Sequence, residues 1–171
     1  MRYVIAALTA FLFLPGWLST SAYDTLGTRF DHTCITYSEG LGDAVRAWAA
    51  VSAIEDCGVS DTPDIELRIV EPWPYPEWMG ASTAFEDEGR IAYALVEVPS
   101  STTDADTLTH EVGHALGLKH SNDSNALMWW GCCPSMSSDD IAGIQSIYGT
   151  AAQRDALRGP YRLVVGGLIL D

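Results

Sequence analysis

Four short segments of the chain have the pattern of apolar and polar positions that predicts β-strands, and the first of them alternates as a half-buried strand does. These predicted strands cover residues 33–37, 64–70, 82–85 and 90–98. Residues 71–78 hold three prolines and two tryptophans, so they cannot form a central strand. That segment is either a rigid surface loop or an aromatic loop that faces a ligand.

Apolar residues recur at helical spacing in the first half of the chain, and a second helix is predicted to run through Leu108 and the histidine-rich region. The first predicted helix covers residues 41–56 and would end at Cys57-Gly58. Its apolar face consists of Leu41, Val45, Trp48, Val51 and Ile54. The second predicted helix begins after Thr103 or Asp104, either of which can cap it, and extends to about Leu116.

The last predicted helix follows a capping arrangement of Ser137 with Asp140. Its apolar side consists of Ile141, Ile144 and Tyr148. The apolar stretch 161–170 could add a strand and is too short to span a membrane as a helix. We assign no function to the tail, residues 151–171.

The length of 171 residues suits a single domain. Residues 1–22 are predicted to be a secretory signal, because Arg2 precedes an apolar run and small residues follow it. An uncleaved membrane anchor is the alternative, although the run is short for a bilayer. A short arm, 23–30, then leads into the main domain, 31–150. We therefore expect a secreted, extracellular protein.

Acidic residues outnumber basic ones and give a formal net charge of −14. Nucleic acids and anionic membranes repel such a surface, so we expect neither as a partner. Once the signal is cleaved, no membrane contact is expected, and we expect the chain to be a monomer.

Four cysteines in a secreted chain indicate two disulfide bonds. Cys132 and Cys133 are adjacent, and a bond between neighbours is strained. The expected outcome is that Cys34 and Cys57 each pair with one of them, or pair together. The spacing of the cysteines matches no thiolate zinc site.

Three of the four histidines lie between His110 and His120. His110 and His114 are four residues apart, so a helix presents them on one face, where they can share a metal ion. Gly117 permits the turn that would bring His120 to the same ion. Three neutral imidazoles leave one zinc position open, as in catalytic sites. Glu111 lies beside them and can act as the general base toward zinc-activated water.

An ordinary amphipathic helix can also carry the short His-Glu-x-x-His pattern, with its histidines as polar surface residues. The longer pattern, in which Gly117 and His120 follow in register, is more specific for catalytic zinc. A secreted zinc-containing binding or adhesion module without turnover is the alternative function. Glu111 argues against that alternative, because binding alone needs no base.

The sequence resembles the matrixins, the matrix-metalloproteinase family within the metzincin zinc peptidases. Residues 124–128 are similar to the methionine turn of metzincins, with Met128 as the methionine. Ser121, directly after the third histidine, is typical of matrixins. Residues 137–149 are similar to the last helix of a matrixin catalytic domain, and a looser resemblance extends back to Asp31.

This resemblance implies an α+β fold with a twisted, mostly parallel five-stranded sheet and two long helices. A small C-terminal lobe with a third helix would follow, and the zinc cleft would lie between the lobes. The implied activity is that of a secreted zinc metalloendopeptidase acting on peptides or proteins. Its substrate would pair with an edge strand containing Ser82, Thr83 and Ala84. Asp106 would line the main specificity pocket, unless it is a solvated helix residue.

Several departures from the matrixin pattern change these expectations. His32 is the one histidine outside the motif, so a second, structural zinc lacks its usual ligands and we expect a single ion. The acidic residues 86–88 could bind calcium, but an acidic solvated turn is more common. Cys132-Cys133-Pro134 replaces the usual Pro-x-Tyr wall. The short arm has no room for an inhibitory pro-domain, so the enzyme is secreted active or Asp24 caps the zinc.

Overall fold

The computed structural model describes residues 22–102, 104–131 and 133–158. All of the predicted signal except Ala22, together with Thr103, Cys132 and residues 159–171, lies outside the described residues. The helices and strands, in chain order, are β1 (Cys34–Tyr37), α1 (Gly42–Val51), β2 (Glu55–Val59), β3 (Ile65–Ile69), β4 (Ala81–Asp87), β5 (Arg90–Val98), α2 (Ala105–Ala115), α3 (Ser138–Tyr148) and α4 (Ala151–Arg158).

The five strands form one sheet in the order β2-β1-β3-β5-β4. Strands β2, β1, β3 and β5 run parallel, and β4 pairs antiparallel with β5 at the edge. The predicted α+β class and mostly parallel five-stranded sheet are therefore confirmed. Because β4 is the outermost strand among the described residues, its outer edge is available for main-chain pairing.

The prediction that the first helix reaches Asp56 is wrong. Helix α1 ends at Val51, and Ser52 is extended, with φ −133° and ψ −178°. The Ser52 hydroxyl donates to the carbonyl of Trp48 and accepts from the amide of Ile54, which turns the chain out of the helix. The following residues form β2, whose side chains are largely exposed. An edge strand without regular apolar alternation is difficult to recognise from sequence.

Helix α2 packs against α1 on one side and against β4 and β5 on the other. Trp48 of α1 is fully buried, and its indole nitrogen donates to the carbonyl of Thr109 at 2.9 Å. Val112 and Ala115 of α2 are also fully buried. The helix that carries the histidine motif is therefore held on both sides by the core.

The C-terminal part contains the predicted capping box and one helix that sequence patterns did not indicate. Ser137 and Asp140 form the capping box of α3, as predicted. The additional helix, α4, packs against α1. Arg154 of α4 donates to the carbonyl of Ala49 in the last turn of α1 and to that of Ile54 just after the helix, at 2.8 and 2.9 Å. Residues 151–158 thus share the packing of the main domain.

The N-terminal arm runs along the loop that contains the third histidine of the motif. Thr25 forms an antiparallel bridge with Leu118, and the amide of Lys119 donates to the carbonyl of Asp24 at 2.9 Å. The arm therefore supports that loop as a short extra strand. Within the described part of the chain, no helix combines the length and apolar character needed to cross a bilayer.

Candidate active site

Helix α2 brings His110, Glu111 and His114 to one place. Asp104 caps the helix, because its carboxylate accepts from the amide of Thr107 at 2.7 Å. The Nε2 atoms of His110 and His114 lie 3.1 Å apart. Two nitrogen ligands of a tetrahedral zinc at about 2.0–2.1 Å would be separated by about 3.3 Å. The spacing of the two rings thus matches that of two ligands of one ion.

Gly117 turns the chain so that His120 returns to the other two histidines. Its φ of +103° is strained for any other residue, and a Cβ there would lie 2.6 Å from the carbonyl oxygen of Thr28. The His120 ring lies 5.4 Å from the His110 ring and 4.7 Å from the His114 ring. Among the residues that the structure describes, these three form the one group of possible ligands close enough to share an ion.

Hydrogen bonds leave the Nε2 atoms as the coordinating atoms. The Nδ1 atom of His110 lies 2.7 Å from the carbonyl of Leu127, and that of His114 lies 2.8 Å from the carbonyl of Leu118. A carbonyl only accepts, so each Nδ1 carries the proton and each Nε2 presents a lone pair. Two lone pairs facing each other at this distance repel unless a cation lies between them, which fits a metal site.

All three imidazoles favour the neutral form that a metal ligand requires. Burial is the main cause of the lowered pKa of His110 and of His120. Burial and the nearby His110 lower the pKa of His114 to about 3. His110 is buried, His114 is half-buried and His120 is exposed, so the cluster opens to solvent on one side.

The predicted methionine turn lies directly against the histidine helix. Met128 is buried, and a Cβ on Gly113 would lie 2.5 Å from its sulfur. The buried carboxylate of Asp140 accepts from the amides of Leu127 and Met128 at 2.8 and 2.9 Å. Since the Leu127 carbonyl accepts from His110, Asp140 orients a histidine through the turn. The sequence indicated Asp140 only as a capping residue.

Ser121 connects the third histidine to the last helix and to the arm. Its amide donates to the carbonyl of Met128 at 2.7 Å, and its hydroxyl donates to the carboxylate of Asp139 at 2.7 Å. The other oxygen of Asp139 accepts from the amides of Ala22 and Tyr23. One carboxylate therefore holds the arm and the His120 loop together.

Glu111 is the buried carboxyl group beside the histidines, with 6% of its surface exposed. Burial raises the pKa of this group to about 7. Gly80, the residue before β4, contacts it so closely that a Cβ at Gly80 would lie 2.8 Å from both Cγ and Oε1 of Glu111. No sequence pattern indicated Gly80, because its importance depends on the packing of a loop against a helix.

The other predicted site residues lie around this centre. Ser82, Thr83 and Ala84 are on the edge strand β4, and the Ser82 hydroxyl is buried without a hydrogen-bond partner among the described residues. Asp106 is exposed in the first turn of α2. Its neighbour Thr107 is buried instead, 3.9 Å from the sulfur of Cys133.

The disulfide alternatives are resolved in part. Cys34 pairs with Cys57, which joins β1 to β2. Cys133 is also disulfide-bonded, and Cys132 lies outside the described residues.

Two further candidates from the sequence remain separate from the histidine cluster. The carboxylate of Asp24 accepts from the amide of Thr25 and from the ammonium group of Lys119, at 2.8 and 3.3 Å. It is not one of the side chains that could share an ion with the histidines. The acidic turn, residues 86–88, is exposed, and Glu86 accepts from the hydroxyl of Thr28. That the chain binds a single zinc, and that residues 86–88 form a solvated turn rather than a calcium site, therefore stay predictions.

The sequence is similar to that of known proteins over much of its length. The matrixin family profile matches residues 46–149. Matrix metalloproteinase-C of Caenorhabditis elegans is 28% identical over 147 residues, covering 68% of this chain and 25% of that protein. The hatching enzyme of Paracentrotus lividus is 33% identical over 129 residues, covering 63% of this chain and 22% of that protein.

A third relative has a higher identity over a shorter aligned segment. Matrix metalloproteinase-27 of Tupaia belangeri is 61% identical over 46 residues, covering 23% of this chain and 9% of that protein. The chain spans a quarter or less of the length of these relatives. Because the family profile covers well over half of the sequence, the chain belongs to the matrixin family.

Proposed function

We propose that this chain is a zinc-dependent metalloendopeptidase. The observation that carries the proposal is the pair of Nε2 lone pairs 3.1 Å apart on His110 and His114, with His120 beside them and Glu111 adjacent. A structural zinc site would be closed by a fourth protein ligand, whereas three histidines leave a position for solvent or substrate. Membership of the matrixin family supports the same conclusion.

His110 and His114 would hold Zn²⁺ through Nε2, while the carbonyls of Leu127 and Leu118 fix their rings. His120 would supply the third ring nitrogen. When bound, the ion supplies a Lewis acid that polarises water and the scissile carbonyl. Glu111 accepts the proton of the attacking water and delivers it to the leaving amine. Because Glu111 is buried, bulk solvent does not compete with that water for the carboxylate.

The substrate would bind in extended form along the outer edge of β4. Only one edge of β4 is paired within the described sheet, so its other backbone groups can hydrogen-bond to a peptide. Such pairing does not discriminate among sequences, and specificity must come from side-chain pockets. Asp106 at the start of α2 and the segment around Cys133, which contacts Thr107, are the candidates for such a pocket.

We also propose that the protein is secreted and acts outside the cell as a monomer. The apolar segment before the domain has the composition of a secretory signal. The disulfide between Cys34 and Cys57 requires an oxidising compartment. Expression with the intact N-terminus, followed by N-terminal sequencing of protein from the medium, tests both the secretion and the cleavage point near Ala22.

The test of activity compares the purified protein with its Glu111→Gln variant on fluorogenic peptides. We expect the wild type to cleave peptides, to lose this activity when zinc is chelated and to regain it when zinc is added. We expect Glu111→Gln to bind zinc and to cleave nothing. Removal of a general base typically lowers turnover by about 10²–10⁴-fold. Equal zinc content in both proteins, with no peptide cleaved by either, would favour the alternative of a binding or adhesion module.

A further inference from the structure

A groove of about 340 Å³ lies between the proline-rich loop, residues 71–78, and the start of α2. We call it the aromatic groove, and its main lining residues are Glu71, Trp73, Trp78, Met79, Pro99 and Asp104. Met79 lines the groove, and the next residue, Gly80, contacts Glu111. Adjacent residues of an extended peptide are about 3.3 Å apart along the strand. The groove is therefore within reach of residues close to a scissile bond.

The aromatic wall of the groove is rigid. Tyr75 stacks on Trp78 with ring centroids 4.7 Å apart, and Trp73 meets Tyr75 edge-on at 5.5 Å. The indole nitrogen of Trp73 donates to the carbonyl of Trp78 at 2.8 Å. The hydroxyl of Thr102 donates to the carbonyl of Met79 at 3.0 Å, which ties the two sides together. Even so, 53% of Trp78 remains exposed, so ring surface is available to a ligand.

The groove is also lined by the carboxylates of Glu71 and Asp104, and Ser100 fixes the position of the Glu71 carboxylate. Glu71 accepts through Oε1 from both the amide and the hydroxyl of Ser100. These bonds lower the pKa of Glu71, so it is charged at neutral pH. Among the described residues, no group donates to its Oε2 atom. Asp104 accepts the amide of Thr107 through Oδ1 alone.

The groove contains no positive charge of its own. Between Arg68 and Lys119 the sequence has one basic residue other than histidine, Arg90. Arg90 pairs with Asp31 at 2.8 Å, and Arg68 pairs with Glu66 and Glu97 on β3 and β5. Neither of these arginines lines the groove. Aromatic faces beside uncompensated carboxylates form an environment that favours a cationic side chain.

We propose that the aromatic groove is a specificity subsite that binds an arginine or lysine side chain of the substrate near the scissile bond. The inference rests on the proposed peptidase function. The cation would lie against the exposed ring of Trp78 with its charge toward Glu71. A flat guanidinium both stacks on an indole and pairs with a carboxylate, so arginine is preferred to lysine.

The test uses matched peptides that share one scissile bond and carry arginine, lysine, glutamine, methionine or leucine at each flanking position in turn. We expect kcat/KM to be about tenfold higher for arginine than for glutamine at one position, the effect of one charge-assisted contact. Glu71→Gln should abolish that preference by lowering kcat/KM for the arginine peptide to the value for the glutamine peptide. Glu77→Gln, an exposed acid of the same loop that does not line the groove, should retain the preference.

Other outcomes overturn the inference. Equal rates for arginine and glutamine at every position, or a preference for methionine or leucine, would show that the groove does not recognise a cation. A preference that survives both Glu71→Gln and Asp104→Asn would place recognition elsewhere; asparagine keeps the helix cap. If no peptide is cleaved, the peptidase proposal fails, and calorimetric titration of the arginine and glutamine peptides then decides whether the groove binds the cation.

Discussion

Gly80 and Glu111 are in such close contact that no side chain fits between them. A Cβ at Gly80 would lie 2.8 Å from Cγ and Oε1 of the glutamate and 3.0 Å from Cδ. The loop after β3 therefore sets the position of the buried carboxyl group. The contact also joins the aromatic groove to the proposed general base.

The first prediction is that Gly80→Ala lowers the proposed peptidase activity without unfolding the protein. The added methyl group must displace the Glu111 side chain from Cγ outward, whereas its three nearest contacts include no backbone atom, so we expect the fold to be kept. Misplacing a catalytic group by about 1 Å can lower the rate by about 10²-fold. We expect kcat to fall by that order with unchanged zinc content and an unchanged melting temperature. Full activity in Gly80→Ala would show that the position of Glu111 does not depend on the loop.

Replacement of Asp140 by asparagine should loosen the methionine turn. The two carboxylate oxygens of Asp140 accept from the backbone amides of Leu127, Met128 and Ser137. In either orientation, the side-chain NH₂ of asparagine would therefore face a backbone N–H instead of accepting from it. Leaving a buried donor without its acceptor costs about 1–3 kcal/mol. We expect a loss of that size in urea unfolding, together with weaker zinc retention. Asp61→Asn, in the exposed loop between β2 and β3, is the control and should change neither quantity.

Substitution of Gly117 separates backbone strain from a steric contact. Gly117→Ala combines an unfavourable φ of +103° with a Cβ 2.6 Å from a backbone oxygen of the arm. Gly58→Ala has a similar φ, +86°, and nothing within 4 Å of the added carbon. The control should lose about 1 kcal/mol. Gly117→Ala should lose clearly more, and its zinc affinity should fall because His120 moves. Equal effects of the two substitutions would mean that the arm does not position the loop.

His32 predicts a pH dependence of stability. Burial alone would lower the pKa of this histidine, but hydrogen bonds to Asp31 and Asp64 outweigh burial and raise it. A raised pKa in the folded state stabilises the protein below the unfolded value of about 6.5. That contribution is lost as the pH rises through the folded value. Arg90, which pairs with Asp31, is the other charge at this cluster.

The measurement is the free energy of unfolding of wild type and His32→Gln across this pH range. The wild type should be more stable than the variant at acidic pH, and the difference should shrink above neutrality. Because 42% of the His32 side chain is exposed, the difference should stay below about 1 kcal/mol. A difference that grows with pH would contradict the assignment.

Local sequence patterns were sufficient for the parts of the fold whose residues repeat regularly. Strand β5, helix α2 and the capping box of α3 follow from apolar periodicity and cap residues. Strand β2 could not be recognised, because it is an exposed edge strand and a cross-strand disulfide holds Cys57 in it. Helix α4 was missed because Arg154, the residue that docks it, contacts carbonyls about a hundred residues away in sequence.

The site divides in the same way. The spacing of the three histidines and Glu111 along the sequence is by itself enough to predict a metal site with an adjacent base. Gly80, Asp140 and Thr107 do not, since each matters through a neighbour that only the folded chain supplies. The proline-rich loop could be recognised as a loop, but the contact of the nearby Gly80 with Glu111 could not.

The most direct test of the account is X-ray absorption spectroscopy at the zinc edge of the purified protein. The account predicts one zinc per chain, bound by three imidazole nitrogens and one oxygen at about 2.0–2.1 Å. The spectrum of His120→Ala should lose one imidazole contribution. A protein that takes up no zinc, or a spectrum dominated by sulfur at about 2.3 Å, would contradict the three-histidine centre.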